Sequence, residues 1–281
     1  MPTISSLRNR FQRRVCSDSI FLKSGHTPSI ADTGSKLSTE VARAIVRSIG
    51  YPLNARGIDG QTAGKNFEII TMEFIRSSIT VLSHLRPAKW LYSVHNDISQ
   101  FVQYEHLAVL KSIVKDNKEA LTALGDYVVS PDVVVAREPL SDREINLRQS
   151  LVRPRGYPKL TPLRAPNQSG NTSILHASIS CKLTLRSDRS QNARTEGLNL
   201  IRNRKGHTPH IGVVTAEPMP TRIASLALGT GDIDCVYHFA LDELIEAVER
   251  TRNEAAVDAL RPLIDGKRLR DIADLPFDLI A

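Results

Sequence analysis

Cysteine is scarce in this chain. Its 281 residues hold three, Cys16, Cys181 and Cys235. They are far apart, odd in number and form no CxxC pair, which excludes a disulfide framework or a cysteine zinc site and points to a reducing compartment. Long apolar runs are missing too, since none approaches the ~18 residues of a membrane-spanning helix. The opening stretch MPTISSLRNRFQRRV is basic but lacks an apolar signal core. These absences predict a cytoplasmic protein with no membrane partner. There is no internal repeat and no low-complexity linker.

What remains is a chain able to build a core. Hydrophobic residues make up 41%, which argues against disorder over most of its length. Lys+Arg of 37 against Asp+Glu of 30 leaves +7. That moderate excess fits a polyanionic partner, and fits an ordinary basic cytosolic protein equally well.

Residues 1 to about 35 read as a basic, loop-rich segment containing Gly25, Pro28, Asp32 and Gly34. Helices are predicted over 37–49, 65–85 and 99–124, with a loop over 51–64. In the second helix Phe67, Ile70, Phe74, Ser77 and Val81 recur at three or four and form one buried stripe. Strands are predicted over 127–136, 174–185, 211–216 and 235–240. Helices are predicted over 191–204, 242–252 and 254–263. The charged, then proline-rich stretch 137–171 reads as an excursion from the core. The sole tryptophan, Trp90, is predicted to be core. Together these give one α/β domain over 1–281 with a central mixed β-sheet flanked by helices.

The strand over 174–185 alternates. Ala177, Ile179 and Cys181 face one way, and Ser178, Ser180 and Lys182 the other. Lys182 therefore stands on a polar face. Asp132 follows Pro131 inside an otherwise apolar strand, where a carboxylate is either satisfied or functional. Glu196 comes fourteen residues after Lys182, early in the next predicted helix, and Glu68 lies in the first turns of the long helix. Cleaving a phosphodiester requires a positioned water and charge relief on the phosphate. Mg²⁺ held by carboxylates, with a lysine beside it, supplies both. Asp132 and Lys182 would serve equally as a plain ion pair, and the glutamates as residues placed near helix starts by the dipole.

Arg186, Asp188 and Arg189 follow on the predicted turn. Arginine reads guanine O6 and N7 bidentately and aspartate accepts from cytosine N4, so the run predicts recognition of adjacent G·C pairs. Its bland alternative is a solvated turn with internal Arg–Asp pairs. Arg194, Arg202, Arg204 and Lys205 are phosphate contacts or a solvated face. His176, His207, His210 and His238 show no ligand spacing, and GTGD at 229–232 is a turn.

In these residues the chain resembles the PD-(D/E)xK restriction endonucleases that cut sites with a CCGG core. Pro131 and Asp132 supply PD. Ser180, Cys181 and Lys182 supply the second half, with the acidic residue expected at position 180 displaced to Glu196 on the helix. LHASISCK, RSDR with QNAR, EGLNL, RNRKG, VVTAEP, ALGTG and IDCVYHFAL carry the same likeness, as do Gly60 to Thr62 and Phe67 with Glu68. It runs from about residue 29 to the end and fades over 148–171 and at the N-terminus.

The resemblance implies roles. Asp132 and the Cys181 backbone carbonyl would ligate Mg²⁺ directly, Glu68 and Glu196 would support it partly through water, and Lys182 would position the attacking water. Arg186 and Arg189 would contact guanines of the inner CCGG, and Asp188 its cytosines. Arg222 would read the outer G·C pair, with Gln61 and Ser35 in the minor groove. The implied protein is the endonuclease of a restriction–modification system. It would cut double-stranded DNA at G/CCGGC, leave 5′-phosphates and 5′ overhangs, and assemble as a homotetramer. A palindromic site requires at least a two-fold dimer. The rival readings are a sequence-specific DNA-binding protein without catalysis, such as a repressor, and a repair or structure-specific nuclease on the same fold.

Overall fold

The computed structural model describes residues 2–23, 26–117, 119, 122, 129–167, 172–229 and 231–281. The chain opens with helix α1 (Ile4–Asp18), where a basic loop was expected. Thr3 and Ser6 form a capping box, Thr3 Oγ1 accepting from Ser6 N at 3.1 Å and Ser6 Oγ from Thr3 N at 3.0 Å. Leu7, Phe11 and Val15, four apart, are buried along one face. Arg8 is clamped by Glu243 and Asp271, each at 2.8 Å. The basic start of the chain is therefore bolted to its C-terminal part. Strands β1 (Leu22–Lys23) and β2 (Thr27–Pro28) form a short hairpin.

Helix α2 (Lys36–Ile49) is capped by Ser35 and ends at Gly50, whose φ of 73° is left-handed. Helix α3 (Gly60–Val81) begins five residues before the predicted start. Asp59 accepts from Gln61 N and Thr62 N, both at 2.9 Å, and that cap offsets the poor helix propensity of Gly60 and Gly64. Helix α4 (Glu105–Val114) covers part of the helix expected over 99–124. Residues 99–104, expected to open that helix, are not α-helical: Ile98–Gln100 is a 3₁₀ turn, Phe101 bridges to Ser173, and Tyr104 is the N-cap of α4. Residues 118, 120, 121, 123 and 124 of the expected helix, and 127 and 128 of the next expected strand, lie outside the described residues.

Six strands make the main sheet, in the order β3 (Trp90–Val94), β4 (Val133–Arg137), β5 (Ile174–Lys182), β6 (His210–Thr215), β7 (Cys235–His238), β8 (Leu269–Asp271). β3, β4 and β5 pair antiparallel, and β5 to β8 parallel. The sheet is mixed, as expected, although β3 had no counterpart in the prediction. Trp90, expected in the core, is only partly buried and meets His176 at a tilt, with ring centroids 4.7 Å apart and the planes at 60°. The register slips between Val135 and Ala136, which face Ala177 and Leu175, so His176 is an inserted residue at a β-bulge.

Helix α5 (Asp142–Ile145) lies in the excursion after β4. Buried Arg164 organises this region, donating to both Asp142 carboxylate oxygens and to the carbonyls of Arg153, Gly156 and Pro158. The remaining helices are α6 (Ser187–Asn203), α7 (Pro220–Ala227), α8 (Leu241–Arg250), α9 (Glu254–Asp265) and α10 (Leu275–Ile280). α3 lies against β3, β4 and β5, α7 against β7, and α8 against β8, so helices flank the sheet. Among the described residues no helix is long and apolar enough to cross a membrane.

Candidate active site

Antiparallel pairing places the N-terminal end of β4 beside the C-terminal end of β5. Val133 faces Ile179 and Val94 faces Val133, so Asp132 falls opposite Ser180 on one side and His95 on the other. One carboxylate oxygen of Asp132, Oδ2, accepts from Cys181 N at 2.7 Å, Lys182 Nζ at 2.7 Å and Ser180 Oγ at 3.3 Å. Among the described residues no hydrogen bond reaches the other oxygen, Oδ1. In an extended strand the N–H and C=O of one residue point to the same side. Cys181 N–H points at Asp132, so its carbonyl lies on that side too.

Glu196 sits in the middle of α6, whereas the prediction put it near the helix start. The helix begins at Ser187, four residues before the expected position. Gly197 lets it pass close to the loop before β7, because a Cβ there would stand 2.4 Å from the Asp232 carbonyl oxygen. Burial pushes the Glu196 pKa upward. Lys182 and the Ser180 hydroxyl oppose that rise, and Asp132 adds to it. Glu68, on the third turn of α3, accepts from or pairs with His95 Nε2 at 2.8 Å. Its pKa is also raised, by burial first and by the Asp132 charge second. Burial works against the Lys182 charge, but Asp132 and Glu196 outweigh it and hold the ammonium above its ordinary pKa.

Three carboxylates thus surround one ammonium, and two of them carry raised pKa values. A divalent cation would relieve that crowding. Among the described residues no three His, Cys, Asp or Glu side chains are close enough to share one ion directly. The groups that could offer oxygen donors to such an ion are Asp132 Oδ1, the Cys181 carbonyl and the carboxylates of Glu68 and Glu196. Mg²⁺, which keeps several of its waters, suits such a set.

Four residues past Lys182, Arg186 occupies the N-cap of α6, and Asp188 and Arg189 lie in its first turn. The expected turn is therefore a helix N-terminus, and Asp188 is favoured there by the dipole. All three side chains are exposed. Arg189 Nη1 donates to Thr184 Oγ1 at 3.0 Å. Arg222 stands on α7, a helix the sequence did not reveal because it opens on Pro220 and spans only eight residues. It is paired with Asp32, 190 positions away in the chain. Arg222 and Gly34 N hold the Asp32 carboxyl below its usual range. Arg186, Arg189, Arg222, Asp32 and Lys23 line one cavity.

Gln61 is exposed beside Gly60, which lines the same cavity. Ser35 Oγ accepts from Ser38 N at 3.2 Å and lies 4.0 Å from Met219 Sδ. Sequence reasoning missed Asp32, His95 and Glu217. His95 follows a strand that was itself missed, and its backbone is left-handed at φ 55°. Its N–H donates to the Pro131 carbonyl at 3.1 Å.

Comparison with known proteins places the chain among the restriction endonucleases. Residues 11–281 match the model of the NgoMIV restriction enzyme, and the chain belongs to that family of type II restriction endonucleases. It is 44% identical over 285 aligned positions to the type II restriction enzyme NgoMIV of Neisseria gonorrhoeae, covering 99% of each chain. Two solved structures align at low identity. A PspGI complex with substrate DNA does so at 15%, with a TM-score of 0.37, over 78% of this chain and 61% of that one. The type IIF enzyme Bse634I with cognate DNA does so at 14%, with a TM-score of 0.36, over 96% and 99%.

Proposed function

We propose that this enzyme hydrolyses double-stranded DNA at the palindrome GCCGGC, cutting after the first G, with Mg²⁺ as cofactor. The observation that carries this reading is the Asp132–Lys182 pair at the C-terminal end of β5, four to seven residues from the exposed Arg186, Asp188 and Arg189. Asp132 Oδ1 and the Cys181 carbonyl would hold the ion, with Glu68 and Glu196 orienting its waters. When bound, Mg²⁺ supplies charge relief for the phosphate and Lewis acidity for the attacking water. Lys182, bonded to Asp132, would position the attacking water and stabilise charge at the phosphate. His95 holds the Glu68 carboxylate in place. The products would carry 5′-phosphates on 5′ overhangs.

Arg186 and Arg189 suit guanine edges of the inner CCGG and Asp188 suits cytosine N4. Arg222, with Asp32 beside it, presents donors and an acceptor together, which suits one outer G·C pair. Gln61 and Ser35 would enter the minor groove. The two-fold site calls for a dimer. A tetramer draws support from the excursion ordered by Arg164, whose Leu147, Leu151, Tyr157 and Leu160 are 59–94% exposed. The enzyme would act in the cytoplasm beside a companion methyltransferase.

The test is to incubate GCCGGC duplex and random-sequence DNA with Mg²⁺, then with Ca²⁺, and map the ends. Cuts after the first G in Mg²⁺, and binding without cutting in Ca²⁺, are expected. Cuts at unrelated sequences, or none in Mg²⁺, would overturn the reading.

A further inference from the structure

Glu217 is a fully buried carboxylate that the chemistry of cleavage does not use. It lies just past the end of β6, two residues beyond Thr215, which is in register with Lys182. Its two oxygens are divided between two different elements. Oε2 accepts from Leu185 N at 2.7 Å, and Oε1 accepts from Met219 N at 3.1 Å. Leu185 is the residue before Arg186, the N-cap of α6. Met219 is the N-cap of α7, the helix that carries Arg222.

Its own backbone is fixed as well. Glu217 N donates to Thr215 Oγ1 at 3.1 Å. Its carbonyl faces His238 Nε2 at 3.3 Å, while His238 Nδ1 accepts from Ala240 N at 3.2 Å, so Nε2 carries the proton and donates. The nearest cationic partner is Arg222 Nη1, at 3.8 Å. Burying a carboxylate is costly, and a packing role alone would be filled as well by a neutral side chain. A carboxylate differs in offering two equivalent acceptors, one for each element.

We infer that Glu217 is a specificity-positioning residue: it sets the spacing between the Arg186–Arg189 cluster and Arg222, and so aligns reading of the inner and outer G·C pairs. This rests on the proposal that those arginines contact bases. Glutamine has nearly the same shape but only one acceptor, so its NH₂ must turn toward Leu185 N–H or Met219 N–H. One element then loses its tether.

The experiment uses the full-length enzyme in Mg²⁺. Its substrates are the GCCGGC duplex and duplexes with one inner or one outer G·C pair replaced. Glu217→Gln should lower kcat/KM on GCCGGC about tenfold to a hundredfold, the scale of a hydrogen bond to a charged group. It should also lower the preference for GCCGGC at inner and outer positions together. Arg186→Ala should relax the inner position only and Arg222→Ala the outer only. Thr215→Val, which removes the hydroxyl bonded to Glu217 N, should repeat the double relaxation at about threefold to tenfold. It carries the test if Glu217→Gln does not fold. If the arginine variants relax their own positions while Glu217→Gln and Thr215→Val keep wild-type preference, whatever their rates, the positioning role is refuted. If neither arginine variant changes preference, the base-reading proposal itself fails.

Discussion

Lys182 Nζ stands 2.7 Å from Asp132 Oδ2, on the oxygen that also accepts from Cys181 N and Ser180 Oγ. All hydrogen bonding from the described residues is thus gathered on one side of the carboxylate. Replacing Lys182 by alanine should cut the single-turnover rate about 10³-fold or more, since on the proposed mechanism it removes the group that positions the water at the phosphate. Specific binding in Ca²⁺, followed by gel shift, should stay within a few-fold of wild type. Normal cleavage by Lys182→Ala would refute the assignment.

His95 and Glu68 give a second prediction. The imidazole is half exposed and touches the carboxylate at 2.8 Å. Partners that orient groups around a metal are worth about 10- to 100-fold in metal affinity. In His95→Ala the Mg²⁺ concentration for half-maximal rate should rise by about that factor, with little change in the rate at saturation. An unchanged Mg²⁺ titration would mean the contact does not matter in the working enzyme.

The N-terminal helix offers a stability test. Phe11 is 2% exposed and packs on Phe67 and Phe74, with ring centroids 6.3 and 5.1 Å away. Phe11→Ala should cost about 3–5 kcal/mol, and Thr3→Ala at the cap about 1 kcal/mol. Urea unfolding measures both. A wild-type midpoint for Phe11→Ala would show that α1 is not part of the cooperative structure.

Burial pushes the Glu217 pKa from an ordinary 4.5 up to about 7, against the pull of Leu185 N–H, Met219 N–H and Arg222. Between those values the native protein binds this proton more tightly than the unfolded chain does. The stability it contributes is therefore complete below pH 4.5 and is lost as pH rises through about 7. Buried His238, pushed down to about 4, acts in the opposite sense, because its native state resists protonation. His238 is common to both proteins, so the difference between wild type and Glu217→Gln isolates the glutamate. Unfolding free energies in urea should show wild type losing stability relative to Glu217→Gln across that window. A pH-independent difference would mean that Glu217 does not titrate there.

Much of this site was legible because it is local in sequence. Asp132 and Lys182 each betrayed themselves as a charge in an apolar or alternating strand, and Arg186, Asp188 and Arg189 follow within seven residues of Lys182. The strands β5, β6 and β7 were legible for the same reason, whereas β8, only three residues long, was not. The helix at the start was not, because Leu7, Phe11 and Val15 are interleaved with Arg8, Arg10, Arg13 and Arg14. Arg8 needs Glu243 and Asp271 to be satisfied, and no local pattern announces partners that distant. Asp32 with Arg222, and Glu217 with Leu185, are hidden for the same reason. Each pairing exists only once the sheet has brought separate segments to one edge.

The bulge at His176 splits the β4–β5 ladder into two registers. It absorbs a register step between the stretch of ladder that holds Asp132 against Ser180 and the stretch that opens into the excursion over 138–167. The end of the ladder that holds the carboxylate and the end that opens into the exposed excursion are thus two separately registered stretches of one strand pair.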